Sequence, residues 1–313
     1  MRFLHYTLLL FSALAVYIVE PSTADNNKSV EITKGINDLD KIILHQTQGS
    51  SVEVYLYGAH VTSWKKKGEE LIFVSSKAIF SPPKPIRGGI PVIFPQFSNL
   101  GSLPSHGFAR NRFWTIENNL SHVTNEVFVD LLLKPTEADL KIWPHRFEFR
   151  LRVTLKPGGD LMLTSCIRNT DAAGKPFTFT FAHHTYFSVS NISEVEVKGL
   201  ENLDYLDNLK NRTRFTEHED DITIESEFDR IYLSTPSKLA ILDHKKRTFV
   251  VQKDGLPDAV VWNPWETKAK TIVDLGADEY KYMICLEAAA IGKPVTLNPG
   301  EEWKGRLQLS TRY

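Results

Sequence analysis

Phe147-Glu148-Phe149-Arg150-Leu151-Arg152-Val153 alternates apolar and charged residues without a break, and its reading decides the fold. Period two puts Phe147, Phe149, Leu151 and Val153 on one face of an extended strand and the charged residues on the other. Pro157-Gly158-Gly159-Asp160 then supplies a turn, and Leu161–Ile167 resumes as a second strand. The segment predicts an antiparallel hairpin.

The same period extends outward in both directions. Val52-Glu53-Val54-Tyr55-Leu56-Tyr57 alternates, and Phe177-Thr178-Phe179-Thr180-Phe181 stacks three rings on one face. Val195-Glu196-Val197, Arg247–Gln252 and Arg306-Leu307-Gln308-Leu309 repeat the pattern, with turn residues between them at Asn169-Thr170-Asp171, Asp254-Gly255 and Asn298-Pro299-Gly300. No segment carries a sustained helical period; Asp139–Ile142 predicts at most a short turn before Trp143-Pro144. Many strands with frequent turns predict an all-β chain folded as a large antiparallel β-sandwich. No internal repeat or composition shift marks a boundary, so one domain is expected from about residue 29 to 313.

The chain has 313 residues and a formal net charge of −1. Its length suffices for a large core, and the balanced charge argues against a nucleic-acid partner. The N-terminus reads differently. Arg2, the apolar run Tyr6–Val19 and the small residues ending at Ala24 have the tripartite pattern of a cleaved secretory signal over residues 1–24. The run is shorter than the roughly 20 residues a spanning helix needs, so no stable membrane insertion is expected after cleavage. Asn-X-Ser/Thr sequons at Asn27, Asn119, Asn191 and Asn211 agree with a secretory route. The expected location is therefore outside the cell or in the endoplasmic reticulum lumen, with the cytoplasm as the alternative if the leader is misread. The 2 cysteines, Cys166 and Cys285, sit in apolar runs without CxxC spacing. Two buried thiols and one disulfide are equally open.

Chemistry on a β scaffold concentrates in long loops. Ser76–Arg112 stands out, with Pro82, Pro83, Pro85, Pro91 and the pair Gly88-Gly89. Such glycines serve either close approach to a ligand or an irregular crossover. Arg87 beside them suits an anion or a pair of sugar hydroxyls, although an arginine considered alone is more often a structural ion-pair partner. Ser105-His106-Gly107-Phe108-Ala109-Arg110 adds a second arginine on the same stretch. No phosphate-binding glycine loop occurs, so nucleotide binding has no support. Alternation puts His183 on the face of the phenylalanines and His184 on the opposite face. A strand-end histidine is either a proton donor near neutral pH or a buried imidazole bonded to a carbonyl. Adjacent histidines could ligate a metal, but no carboxylate or cysteine cluster accompanies them. Glu287 closes the apolar run from Tyr282, as a surface charge or as a desolvated base.

Taken together the motifs resemble the glucose-6-phosphate 1-epimerases (D-hexose-6-phosphate mutarotases), a branch of the aldose 1-epimerase superfamily. The matching stretches run in order from GAHVTSW (58–64) through PIRGGIPVIFPQF (85–97), HGFARNRFW (106–114), WPHRFEFRL (143–151), HTYFSV (184–189) and VVWNPW (260–265) to KPVTLNPGEEWKGRLQLS (293–310). The resemblance implies a galactose mutarotase-like supersandwich, with His184 as catalytic acid, Glu287 as catalytic base, and Arg87, Ser105, Arg110 and Asp229 at substrate-binding positions. Where the family often has glutamine, this chain has Ser105, which puts that contact in doubt. The implied reaction interconverts the α and β anomers of a hexose 6-phosphate by ring opening and closure, without metal or cofactor. Glu287 and His184 are expected on opposite sides of one pyranose. An aldose 1-epimerase acting on unphosphorylated sugar and a secreted carbohydrate-binding protein without activity are the alternatives. The partner in each case is a small sugar or sugar phosphate.

Overall fold

A computed structural model describes residues 29–46, 48–117, 125–172, 174–244 and 246–313. The expected signal, and the sequons at Asn27 and Asn119, lie outside the described residues. Three antiparallel sheets organise the described residues. The deciding hairpin forms as read. Phe147–Leu155 pairs with Leu161–Asn169, with Leu155 opposite Leu161 and Phe149 opposite Ile167. Phe147, Phe149, Leu151 and Val153 are buried. The outward residues form ion pairs, Arg150 with Glu117 and Glu148, and Arg152 with Asp130.

This hairpin lies inside a nine-stranded sheet that runs from Asp221–Thr223 through Arg247–Asp254 and Glu302–Arg312 to Thr115–Ile116. Facing it is an eight-stranded sheet. Its central order is Phe228–Tyr232, Asp258–Asn263, Met283–Leu297 and Phe177–His183. A five-stranded sheet from Val30–Lys34 to Glu69–Glu70 completes the fold. The core lies between the two large sheets. Phe149 meets Phe181 across it at 5.9 Å between ring centroids, and Trp303 meets Phe181 at 5.0 Å. The supersandwich expectation holds.

Helix is sparse among the described residues. Glu137–Ile142 forms a helix begun by a capping box between Thr136 and Asp139, longer than the turn expected there. The second, Trp265–Ala269, is too short to show a helical period and has no side-chain cap. Among the described residues no helix is long and apolar enough to cross a membrane.

Phe94 ties the long loop to the core. It is fully buried and lies within 5.5 Å of the rings of Trp143, Phe147, Phe149 and Phe179. Truncating such a residue loses apolar transfer energy and leaves a cavity, typically 3–5 kcal/mol for Phe to Ala. Phe94→Ala should therefore lower unfolding stability by roughly 3–5 kcal/mol. In urea titration this would appear as a lower midpoint with an unchanged m value.

Candidate active site

Alternation on the eight-stranded sheet sends alternate side chains away from the core. In Met283–Leu297, Leu286, Ala288 and Ala290 pack into the core while Cys285, Glu287 and Ala289 face outward. Val260 registers with Glu287, and Asp229 with Trp262. His184 follows the strand Phe177–His183, where Ala182 faces out and Phe181 faces in. Glu287, Asp229, Trp262 and His184 thus meet on one outer face. Glu287 is not at a strand end, as its position after an apolar run suggested. The strand continues through Leu297, and the carboxylate lies within it, 1% exposed.

These side chains line a cavity of about 150 Å³ together with Arg87, Phe97, Ser98, His106, Asn208 and Val260. A more open polar chamber of about 500 Å³ adjoins it, sharing Ser98, Asn208 and Asp229 and adding Asn99, Asn211 and Arg212. His184 Nε2 lies 3.3 Å from Glu287 Oε1. The two side chains are therefore in direct contact, with no ring-sized gap between them. His184 stacks on Tyr186 at 4.7 Å with an interplanar angle of 8°, and His106 meets its ring edge-on at 5.6 Å. The Tyr186 hydroxyl accepts from Arg87 Nη1 at 3.2 Å, and Arg87 Nε donates to Asp274 at 3.0 Å. One chain of contacts, Asp274–Arg87–Tyr186–His184, fixes the imidazole.

The glycines beside Arg87 meet the protein's own backbone. A side chain at Gly88 would sit 2.5 Å from the Phe73 carbonyl, and one at Gly89 2.2 Å from the Val61 carbonyl. Both residues have positive φ, which glycine alone adopts without strain. The Gly88 carbonyl is in turn held by His60 Nε2 at 2.7 Å. The GAHVTSW stretch therefore braces the loop that carries Arg87.

Burial dominates the electrostatics. It pushes the His184 imidazole well below its usual range, with His106, Arg110 and Arg87 adding to the effect. It lifts the Glu287 carboxyl well above the usual range, and the nearby Asp229 charge lifts it further. The buried His184 Nδ1 and Glu287 Oε2 have no partner among the described residues. Burial raises Asp229 to about 6 and drops His106 to about 3. Arg110 is lowered to about 10, first by burial, against the opposing effect of Tyr186 and with a further contribution from Arg87. Its Nη2 donates to the Ser105 carbonyl at 3.0 Å, and its buried Nε has no partner among the described residues.

Of the residues singled out in the sequence, Arg87, His184, Asp229 and Glu287 line the cavity. Arg110 stands behind it, close enough to act on both His184 and Glu287. Ser105 is exposed, and it is the Ser105 backbone carbonyl that binds, holding Arg110. His183 turns into the core, as alternation predicted, with Nε2 3.3 Å from Ser165 Oγ. The two adjacent histidines do not converge, and no group of three or more metal-ligating side chains occurs among the described residues. Cys166 and Cys285 are free thiols, which resolves that open pair. His106, Asn208 and Trp262 carried no assigned role in the sequence reading. His106 and Trp262 sat in quoted motifs; Asn208 sat in a polar turn with no signal.

The aldose 1-epimerase family matches residues 40–310. A Cenchrus ciliaris protein named "Putative glucose-6-phosphate 1-epimerase" is 61% identical over 286 residues, covering 90% of this chain and 87% of its own. An Escherichia coli K12 protein of the same name is 31% identical, covering 81% of this chain and 84% of its own. A solved Salmonella typhimurium chain described as a "putative mutarotase" superposes with a TM-score of 0.79 at 26% identity, over 90% of this chain and 96% of that one. A cleft that places an imidazole against a carboxylate on this sandwich, and a family match across the two large sheets, lead to one conclusion: the chain belongs to the aldose 1-epimerase family.

Proposed function

We propose that the protein interconverts the anomers of a hexose 6-phosphate, glucose 6-phosphate above all, with Glu287 and His184 exchanging protons with the sugar. The observation that carries this reading is the 3.3 Å contact between His184 Nε2 and Glu287 Oε1 in a cavity lined by Arg87, with Arg110 behind it. Opening a pyranose requires a proton to leave the C1 hydroxyl and another to reach the ring oxygen. Both oxygens are bonded to C1. An acid and a base serving them must therefore be neighbours, and these two are.

The chemistry follows from one shared proton. With the proton on His184 and Glu287 ionised, Glu287 takes the hydroxyl proton while His184 protonates the ring oxygen, and the C1–O5 bond breaks. The open aldehyde then faces a neutral imidazole and a protonated carboxyl, the arrangement burial favours in both groups. Rotation about C1–C2 presents the other carbonyl face, and the reverse transfers close the ring. Each positioned proton-transfer group typically contributes 10²–10⁴-fold. Both protons return each cycle.

Arg110 supports the phosphorylated substrate. A half-buried guanidinium whose only hydrogen bond among the described residues is to a carbonyl favours an incoming anion. Arg87 lies beside it, half committed to Asp274. Polarimetry with pure α-glucose 6-phosphate and α-glucose tests the reading. Faster equilibration of the phosphate ester supports it. Acceleration of glucose alone would move the activity to free aldoses, and none with either would leave a carbohydrate-binding protein. Arg110→Ala should raise KM for glucose 6-phosphate by about 10–100-fold, the weight of a hydrogen bond to a charged group. Its effect on glucose should be much smaller; equal effects on both sugars would remove phosphate from the role of Arg110.

A further inference from the structure

We propose that Asn208 is a specificity-determining residue whose carboxamide oxygen accepts a hydrogen bond from the sugar's 2-hydroxyl. The inference rests on the sugar-binding reading of the cavity.

Asn208 lines both the inner cavity and the outer chamber. Its Nδ2 donates to Asp229 Oδ1 at 2.6 Å. Above the value of about 6 to which burial raises it, Asp229 is ionised and can only accept. The amide must therefore present nitrogen to Asp229 and turn its oxygen away, so chemistry settles the orientation that amide symmetry leaves open. That oxygen is buried and has no partner among the described residues. A buried acceptor left unpaired costs free energy, and a hydroxyl is the donor a sugar brings.

The turn that carries Asn208 is rigid. Asp207 accepts from Leu209 N at 2.9 Å through its side chain and from Arg212 N at 2.8 Å through its carbonyl. Its placement also selects the hydroxyl. The sheet order is Phe228–Tyr232, Asp258–Asn263, Met283–Leu297 and Phe177–His183, so the strand of Asp229 lies on the side of Glu287 away from the strand that leads to His184. Asp229 and Asn208 thus lie on the carboxylate side of the pair. With Glu287 on the C1 hydroxyl and His184 on the ring oxygen, the ring edge beyond Glu287 carries C2.

A double-mutant cycle between protein and sugar tests this. Mutarotation of glucose 6-phosphate and 2-deoxyglucose 6-phosphate is measured with wild type and Asn208→Ala. Wild type should lose about 10–100-fold in kcat/KM on the 2-deoxy ester, the effect of a missing hydrogen-bond partner. In Asn208→Ala that discrimination should shrink about ten-fold or more, because the acceptor is gone from both comparisons. The melting temperature of Asn208→Ala, expected within a few degrees of wild type, controls for disturbance of the turn; Asn208→Asp is avoided because it would set a second carboxylate against Asp229. An equal loss on both sugars would make Asn208 a support for Asp229 only and overturn the proposal while the epimerase function stands. A wild-type enzyme that accelerates neither ester nor any free aldose would overturn both together.

Discussion

Glu287→Gln should lower kcat by about 10³-fold while leaving KM for the sugar within a few-fold of wild type. The change is isosteric, and the residue lies in the middle of a long central strand, so shape is preserved. The amide can donate to His184 Nε2, which replaces the contact seen at 3.3 Å. What it cannot do is take the proton from the C1 hydroxyl. Because that transfer occurs only on the way to the transition state, its loss belongs in kcat and not in binding. Folding should not suffer, since burial already lifts this carboxyl well above its usual range. The amide replaces a group that prefers to be neutral. Stopped polarimetry or saturation-transfer NMR, corrected for uncatalysed mutarotation, gives the number. Turnover near wild type would reassign the base, and Asp229 would be the carboxylate to examine next.

The parts of this molecule that were legible in its sequence are those governed by local repetition. Phe147–Val153 states its own strand because each residue reports its face. The same rule separates His183 from His184 in the sequence alone, since adjacent strand residues must point opposite ways. What stayed illegible is what depends on distant residues meeting. Asp274 holds Arg87 from a loop far along the chain, and nothing near either residue announces the pair. Asn208 sits in a turn of Asp, Asn and Lys, whose composition is that of any solvated loop. Gly88 and Gly89 were ambiguous for the opposite reason. Positive φ was foreseeable, but whether a ligand or a neighbouring backbone filled the space was not. The contact between His184 and Glu287 belongs to the same class. Family resemblance named both residues, and only the register of Val260 with Glu287, beside the strand leading to His184, puts them on the same side of the cavity.

His184→Gln should both lower kcat by about 10²–10⁴-fold and change the shape of the pH profile. The pair is active when it holds one proton, and so it titrates as a unit. A second proton would have to charge His184 while Glu287 is already protonated. Burial and the nearby arginines push that event below the usual histidine range. Loss of the last proton follows the raised carboxyl and lies above the usual carboxylate range. Wild-type kcat/KM should therefore form a bell, with its acid limb below the usual histidine value of about 6.5. Without the imidazole the only competent state is the ionised carboxylate, so the residual activity should simply rise with pH through the Glu287 titration. Glucose is the substrate to use, because the second ionisation of a phosphate ester, near pH 6, would overlay the curve. Asp229 titrates at about 6 and faces the same cavity, along with His106 at about 3 and Arg110 at about 10. Any of these could bend the wild-type curve. The assignment therefore rests on the difference between the two enzymes. A bell that survives His184→Gln would place the second proton on another group, and the imidazole would lose its role as the acid.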